Sequence, residues 1–351
     1  MKKSLALVLV LAICVSLLAA CGTSPGTTAD TSKTGSGEGT EKTFELKLGT
    51  IRDDNDPATF AVKEFIKLVE EKSKGTLKIK LFNNSALGGL TDMLPGMTSG
   101  TVDMMHDRIS CYGMLEGAAK LNITAAPFIW DSYEQLEGFM NSDAAKVWFD
   151  EAAEATQVRA FMVKGETEAR QLSANKAIKT ADDFKGLKVR TAEIAVVQQT
   201  MKALGAEPIV IPFNDLYMAL RQGTADAQEN GFLTVKNKSF FEVQKYLMKT
   251  DYIRDIGAYY ISEKIWDQMS DNQKKALAEA ASEAGEIETE LTNKNISETF
   301  EFLKGEMNYV ETDLDSIRAK LGDAIYEQFD AEGRAWATGA YKVVKDYKEG
   351  K

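Results

Sequence analysis

The chain has 351 residues, 44% of them apolar and 27% charged, enough for the cores of about two domains and too apolar for general disorder. Its 42 basic and 53 acidic residues give a net charge of −11, which lacks the basic field that nucleic acid or an anionic membrane requires. One histidine, His106, and three cysteines, at 14, 21 and 111, leave little for histidine-based catalysis, a histidine-rich metal site or an internal disulfide.

Lys2 and Lys3 precede an apolar run from Leu5 to Ala20, broken only by Ser16. That run is short for a transmembrane helix and suits the hydrophobic region of a signal peptide, residues 1–20. It ends in Leu18-Ala19-Ala20-Cys21-Gly22, which resembles the lipobox of bacterial lipoproteins. The resemblance implies cleavage before Cys21, lipidation of its thiol and attachment to the cell membrane. A plain signal peptide with a stray cysteine, or an uncleaved anchor, is the alternative. Residues 21–42 are rich in Gly, Ser and Thr and hold no large apolar side chain, so nothing in them offsets the entropy of ordering. They read as a flexible linker that holds an extracytoplasmic body.

From Phe44 to Ile51 apolar and polar residues alternate, as in a strand. Asp56-Pro57 offers a carboxylate at the N-cap and a proline at the first helical position, and Ala61, Phe65, Leu68 and Val69 continue at helical spacing until Gly75. Thr76–Phe82 alternates again. A short helix follows at Leu90–Ser99, then Gly100-Thr101-Val102-Asp103 leads into Met104 and Met105 as a buried strand. This is βαβ order, which implies a parallel sheet with covering helices. The middle of the chain repeats it: strand Gly186–Thr191, helix Ala192–Leu204, strand Pro208–Ile211, short helix Phe213–Leu220, and Gly223-Thr224-Ala225-Asp226 echoing the earlier tetrad.

After Tyr260 the pattern is helical almost throughout. Ser270 with Gln273 makes a capping box, and residues 272–304 contain no proline and a single glycine, Gly285. A helix of that length, about 50 Å, would brace both halves; no sustained leucine heptad supports a coiled coil. Further helices are expected at Leu314–Phe329 and Trp336–Tyr347. The fold class is therefore α/β and bilobed, with a ligand cleft. Lobe I is expected over 43–167 with about 256–295, and lobe II over 168–255 with about 296–351.

Ligands of parallel α/β sheets sit beyond the carboxyl ends of the strands. Those ends carry Ile51-Arg52, Asp107-Arg108, Arg190 with Glu193, and Gln228-Glu229-Asn230. A guanidinium keeps its charge and reads a carboxylate with two parallel hydrogen bonds, so arginines recurring here in an acidic chain suit an anionic ligand. A surface ion pair is the other reading of each one. Catalytic signals are thin. His106 precedes Cys111 with no Asn or Gln partner at a recognisable spacing, and no Cys-x-x-Cys, His-Glu-x-x-His, Gly-x-Ser-x-Gly or P-loop pattern occurs.

Gly186-Leu187-Lys188-Val189-Arg190, Ala203-Leu204-Gly205-Ala206-Glu207-Pro208, the segment Pro212–Leu220, Gly223–Asp226 and Gln228-Glu229-Asn230 together resemble the signature of the TRAP transporter solute-binding proteins, the DctP type. Glu70–Leu77, Asn84–Gly88, Ala126–Ile129 and Phe241–Tyr246 extend the likeness, which runs roughly from Phe44 to Lys351. It implies a periplasmic-binding-protein-like fold of two lobes joined by crossing strands, with a long helix along both. It implies no enzymatic activity, no cofactor and no metal. By position it implies that Arg190 takes a ligand carboxylate in a two-pronged contact, that Asn230 hydrogen-bonds the same group, that Arg170 is a second basic contact near the hinge, and that Phe213 walls the site. Arg108 is a candidate reader of a second acidic or hydroxyl group. Arg52 and Glu193 stay open, Glu193 because a carboxylate in a first helical turn also simply favours the helix dipole. Trp130 and Tyr133 belong either to the cleft or to the core.

Two departures from the family pattern, Gly231 in place of a proline and Thr191-Ala192 in place of Val-Pro, are expected to loosen loops beside the site. The implied function is capture of a small organic acid, a dicarboxylate or sugar acid, and its delivery to the membrane subunits of a TRAP permease. The alternatives are a lipoprotein receptor for an ABC permease and a surface hydrolase of acidic sugars, which would need a carboxylate pair flanking the cleft.

Overall fold

In the computed structural model, which describes residues 41–351, the expected βαβ order is realised twice. The signal peptide, Cys21 and nearly all of the linker lie outside the described residues. The first part of the body contains β1 (Phe44–Gly49), α1 (Pro57–Lys72), β2 (Leu77–Phe82), α2 (Leu90–Ser99), β3 (Met104–Arg108), α3 (Tyr133–Met140), α4 (Asp143–Thr156) and β4 (Val158–Glu166). The middle contains β5 (Gln171–Ala174), β6 (Lys188–Thr191), α5 (Ala195–Ala203), β7 (Glu207–Val210), α6 (Leu216–Arg221), β8 (Ala227–Asn230), α7 (Phe232–Asn237) and β9 (Tyr246–Met248). The last part contains β10 (Ile256–Ser262), α8 (Glu263–Trp266), α9 (Asp271–Glu306), β11 (Asn308–Val310), α10 (Leu314–Leu321), α11 (Ala324–Glu332) and α12 (Ala340–Lys348).

One sheet has the order β2-β1-β3-β10-β4 and the other β11-β9-β5-β8-β6-β7. In each, three parallel strands from one βαβαβ unit (β1, β2, β3; then β6, β7, β8) are flanked by a strand running the other way. The echoed tetrads explain themselves here. Gly100 and Gly223 take left-handed φ values of 83° and 71° to end a helix. Asp103 and Asp226 then accept the backbone N–H of Lys47 (2.8 Å) and Lys188 (3.2 Å), each fastening the start of the third strand to the first.

Asp56 caps α1 through the Ala58 N–H with Pro57 at the first position, and Ser270 and Gln273 form the box that opens α9. The segment after Tyr260 differs from expectation at its start. Ile256–Ser262 is a strand, wholly buried between β3 and β4, so it lacks the alternation that marks a half-exposed strand. The expected helix over 314–329 is two helices, broken at Gly322, whose φ is 61°.

The chain passes between the sheets at 167–170 and again at 249–255, and the two passages are bonded together: Arg170 N–H donates to the Ile253 carbonyl at 2.9 Å and the Thr167 hydroxyl to that of Asp255 at 3.0 Å. The 36-residue α9 makes a third link. Its first half packs on α1 and β4, where Ala280, Ala281, Ala284 and Gly285 are buried; a Cβ at Gly285 would lie 2.9 Å from the backbone carbon of Lys164. Its second half packs on α7 and β11, with the Phe232 and Phe300 rings stacked at 4.8 Å. The final helices reach across as well. Contacts join α10 to α5, whereas Tyr347 of α12 packs on Phe139 at 5.2 Å and Lys348 pairs with Asp131 at 3.2 Å. Residues expected in lobe II therefore rest in part on residues expected in lobe I.

Candidate functional site

The carboxyl ends of β1 and β3 face those of β6 and β8 across a shared cavity, the place where ligands of parallel α/β sheets sit. Four arginines line it, Arg52, Arg108, Arg170 and Arg190, and none exposes more than 6% of its surface. What each one touches divides them into two kinds.

Arg52 and Arg170 are neutralised. Arg52 pairs with Asp107 at 3.2 Å and lies 4.0 Å from Asp56. Arg170 donates through Nε and Nη2 to the Glu229 carboxylate, and through Nη2 to the Glu229 carbonyl at 2.6 Å. Burial pulls both pKa values down, but the facing carboxylates outweigh it and hold both groups above their ordinary range. Asp107 is likewise pushed up by burial and pulled further down by Arg52 and Arg108, so it stays ionised.

Arg190 and Arg108 have no such partner. Among the described residues no carboxylate lies within ion-pair distance of either. Arg190 Nε donates to the Ile211 carbonyl at 2.9 Å and Arg108 Nε to the Thr167 hydroxyl at 3.3 Å; their terminal amines have no acceptor. Burial, with Arg170 adding to it against Glu229, lowers the Arg190 pKa to about 10. Arg108 is lowered too, by burial and then by Arg52 and Arg170. Two guanidiniums from opposite sides of the cavity thus lack a counter-charge in contact.

Asn230, 2% exposed, gives its amide N–H to Gln228 at 2.6 Å and its oxygen faces Arg170 at 3.4 Å. The Phe213 ring closes one wall, 5.8 Å from the Arg52 guanidinium. Glu193 is exposed at the rim. All six residues expected at a site, Arg190, Asn230, Arg170, Phe213, Arg108 and Glu193, line this one cavity, as does Arg52.

Other features belong elsewhere. Trp130 is 2% exposed and donates its indole N–H to the Thr124 carbonyl, and the Tyr133 hydroxyl accepts from the Gly165 N–H, so neither lines the cleft. His106 lies 3.3 Å from Glu288 of α9, both buried, in a small separate chamber that Asp56 and Glu168 also line. The Cys111 thiol donates to Asp107, and burial pushes its pKa well up, the opposite of what a nucleophile needs. Among the described residues no cluster of three or more His, Cys, Asp and Glu side chains is arranged to hold a metal.

Residues 48–331 match the model of the DctP family, described as bacterial extracellular solute-binding protein, family 7. The chain belongs to this family. Among its relatives is the 2,3-diketo-L-gulonate-binding periplasmic protein YiaO of Escherichia coli, 31% identical over 288 residues, or 81% of this chain and 85% of the relative. A TRAP periplasmic solute-binding protein of Roseobacter denitrificans, solved with bound L-galactonate, superposes with a TM-score of 0.78 at 26% identity over 84% of this chain and 97% of its own. One from a Polaromonas species, solved with D-erythronate, gives 0.78 at 27% identity over 86% and 97%. This TRAP-type solute-binding protein is a receptor, not an enzyme, and it works outside the cytoplasm.

The receptor's two departures from the family pattern have a different effect from loosening. Thr191 is fully buried at the end of β6, paired with Val210 of β7. Gly231 leaves space: a Cβ there would lie 1.9 Å from the Glu168 carboxyl carbon. Glu168 fills that space and accepts the Leu233 N–H at 2.6 Å and the Thr234 N–H at 3.0 Å, capping α7. Gly231→Ala is therefore expected to cost about 1–3 kcal/mol in denaturant unfolding. Adding Glu168→Ala should recover part of that loss, and strictly additive losses would show that the two residues do not compete for the space.

At the mouth of the receptor's cavity the halves touch directly. Lys238 pairs with Asp53 at 3.0 Å and donates to Asn84 at 3.3 Å, and the Ser85 hydroxyl donates to Asn214 at 2.9 Å. Sequence reasoning did not single out the apolar walls, among them Leu90, Met114, Ile194 and Val210. Val210 ends β7 and Ile194 follows β6 closely, so the positional rule that gives Arg52, Arg108 and Arg190 reaches these two.

Proposed function

We propose that this receptor captures a small organic acid by its carboxylate, with Arg190 as the anchor, and delivers it to a TRAP permease. One observation carries the reading: Arg190 is 2% exposed, has no carboxylate in contact, and keeps its terminal amines free beside the cavity. A bound carboxylate would supply both the charge and the paired acceptors that the group lacks. Asn230 adds a contact to the same group. Arg170 orients the site from beneath it, bound to Glu229. Arg108 takes a second oxygen. The relatives named above support the class, since each is named for, or was solved with, an acid. Dicarboxylates and sugar acids both satisfy a single arginine anchor.

Closure is the working step. Ligand held by Arg190 in lobe II, and touched by Arg108 from lobe I, stabilises the state in which Lys238–Asp53 and Ser85–Asn214 join the rims. Lobe I is 43–167 with about 256–295, and lobe II is 168–255 with about 296–351, of which the last helix, α12, lies against lobe I. The lipobox-like Leu18–Gly22 supports anchoring through a lipid on Cys21.

The test is a thermal-shift screen of small carboxylates, each against its amide. A ligand at 100 times its dissociation constant adds about 2.7 kcal/mol, a shift of several degrees. Carboxylates are expected to raise the midpoint and their amides are not. Shifts from uncharged compounds alone would overturn the anchor.

A further inference from the structure

We infer that the ligand has an apolar body: a carboxylate on a branched or aromatic carbon skeleton, with one further oxygen acceptor, rather than a polyhydroxy acid. The inference rests on the anchor at Arg190 and concerns what the rest of the cavity can hold. Leu90, Met114, Ile194 and Phe213 form its inner walls, and Val210 and Pro212 stand exposed at the rim. A hydroxyl needs partners on both sides, as donor and as acceptor, and a six-carbon sugar acid brings several.

The cavity's side chains offer them few acceptors. Asp107 Oδ1 is taken by the Arg52 guanidinium and the Arg108 N–H, and its Oδ2, though unpartnered, is buried out of reach with under 1 Å² exposed. The Asn230 oxygen accepts from Arg170 and one of its N–H groups goes to Gln228, which leaves a second N–H that can only donate, and the Ile211 carbonyl accepts from Arg190. Glu193 and Thr91 are the remaining polar side chains with an oxygen, both exposed at the rim. Arg190 and Arg108 are free, but they only donate. They suit a carboxylate and one more oxygen, and they leave the middle of the ligand against hydrocarbon. Hydroxyls buried there would lose water without replacement, and carbon would lose nothing.

Isothermal titration of the full chain would decide it, with 4-methyl-2-oxopentanoate and phenylpyruvate set against gluconate and L-galactonate. At least one apolar acid is expected to bind about 100-fold or more tighter than both polyhydroxy acids. Met114→Gln, which keeps the shape of the wall and makes it polar, is expected to weaken that acid about 5-fold or more and to leave the polyhydroxy acids unchanged or improved. Tighter binding of gluconate or L-galactonate would overturn the apolar body and leave the carboxylate anchor standing. Binding by none of the four, together with shifts from amides alone in the thermal screen, would overturn the anchor and this inference with it.

Discussion

Arg190→Met is expected to weaken carboxylate binding by about 30-fold or more, because truncating one partner of a buried charged pair typically costs about 2–5 kcal/mol. The same substitution is expected to stabilise the ligand-free protein. Arg190 titrates at about 10 in the fold against an ordinary value of 12.5, chiefly because burial disfavours its charge. A base whose pKa is depressed by folding carries its charge at a cost throughout the range below the folded value, and the cost fades as pH rises from about 10 toward 12.5. At neutral pH that cost is on the order of 1–3 kcal/mol. Methionine removes it and keeps the volume. Melting curves with and without ligand should therefore cross: the variant melts higher alone, and the wild type melts higher when loaded. A variant that melts lower without ligand, or still binds with unchanged affinity, would refute the assignment.

Glu229→Ala is expected to do the reverse, lowering stability by about 3–5 kcal/mol and the melting midpoint by on the order of 10 °C. Glu229 is fully buried on β8, takes two nitrogens of Arg170, and accepts the Tyr252 hydroxyl at 2.7 Å. Removing it strands the Arg170 charge, which has no water to turn to. The double variant Arg170→Met with Glu229→Leu removes both charges and should recover most of the loss. Failure of that recovery would mean the loss comes from packing rather than from the stranded charge. The pair also accounts for Arg170 as a positioning residue, since its Nε and one terminal nitrogen are already occupied beneath the site.

Much of this arrangement is legible in the sequence. Asp56-Pro57 and Ser270 with Gln273 mark their helices because capping is a local matter of three or four residues. The tetrads at 100 and 223 announce a repeated unit because both lobes solve the same problem, fastening a third strand to a first. Strand-end position collects three of the cavity's four arginines, Arg52, Arg108 and Arg190, because strand, turn and helix follow in fixed order; Arg170, just ahead of β5, is given by the family resemblance alone. The partners of those arginines are another matter. That Arg170 is neutralised and Arg108 is not depends on Glu229 and Tyr252 in one case and Thr167 in the other, residues brought together only by the crossing segments. Strand β10 escaped because a strand buried on both faces carries no alternation, and Gly231 looked like slack because the side chain it makes room for, Glu168, lies 63 positions earlier.

The crossing segments also set the order in which the protein can fold. The first sheet lacks its inner strand until β10, residues 256–262, has been made, although β1 to β4 were finished by residue 166. The second sheet waits for β11 at 308–310, and α12 then returns to dock beside α3. Neither half can close on itself as it leaves the ribosome. Such a chain has a high contact order and forms its native pairings late and slowly. A chain truncated before residue 256 would leave β3 and β4 without the strand that joins them, each with an unpaired edge.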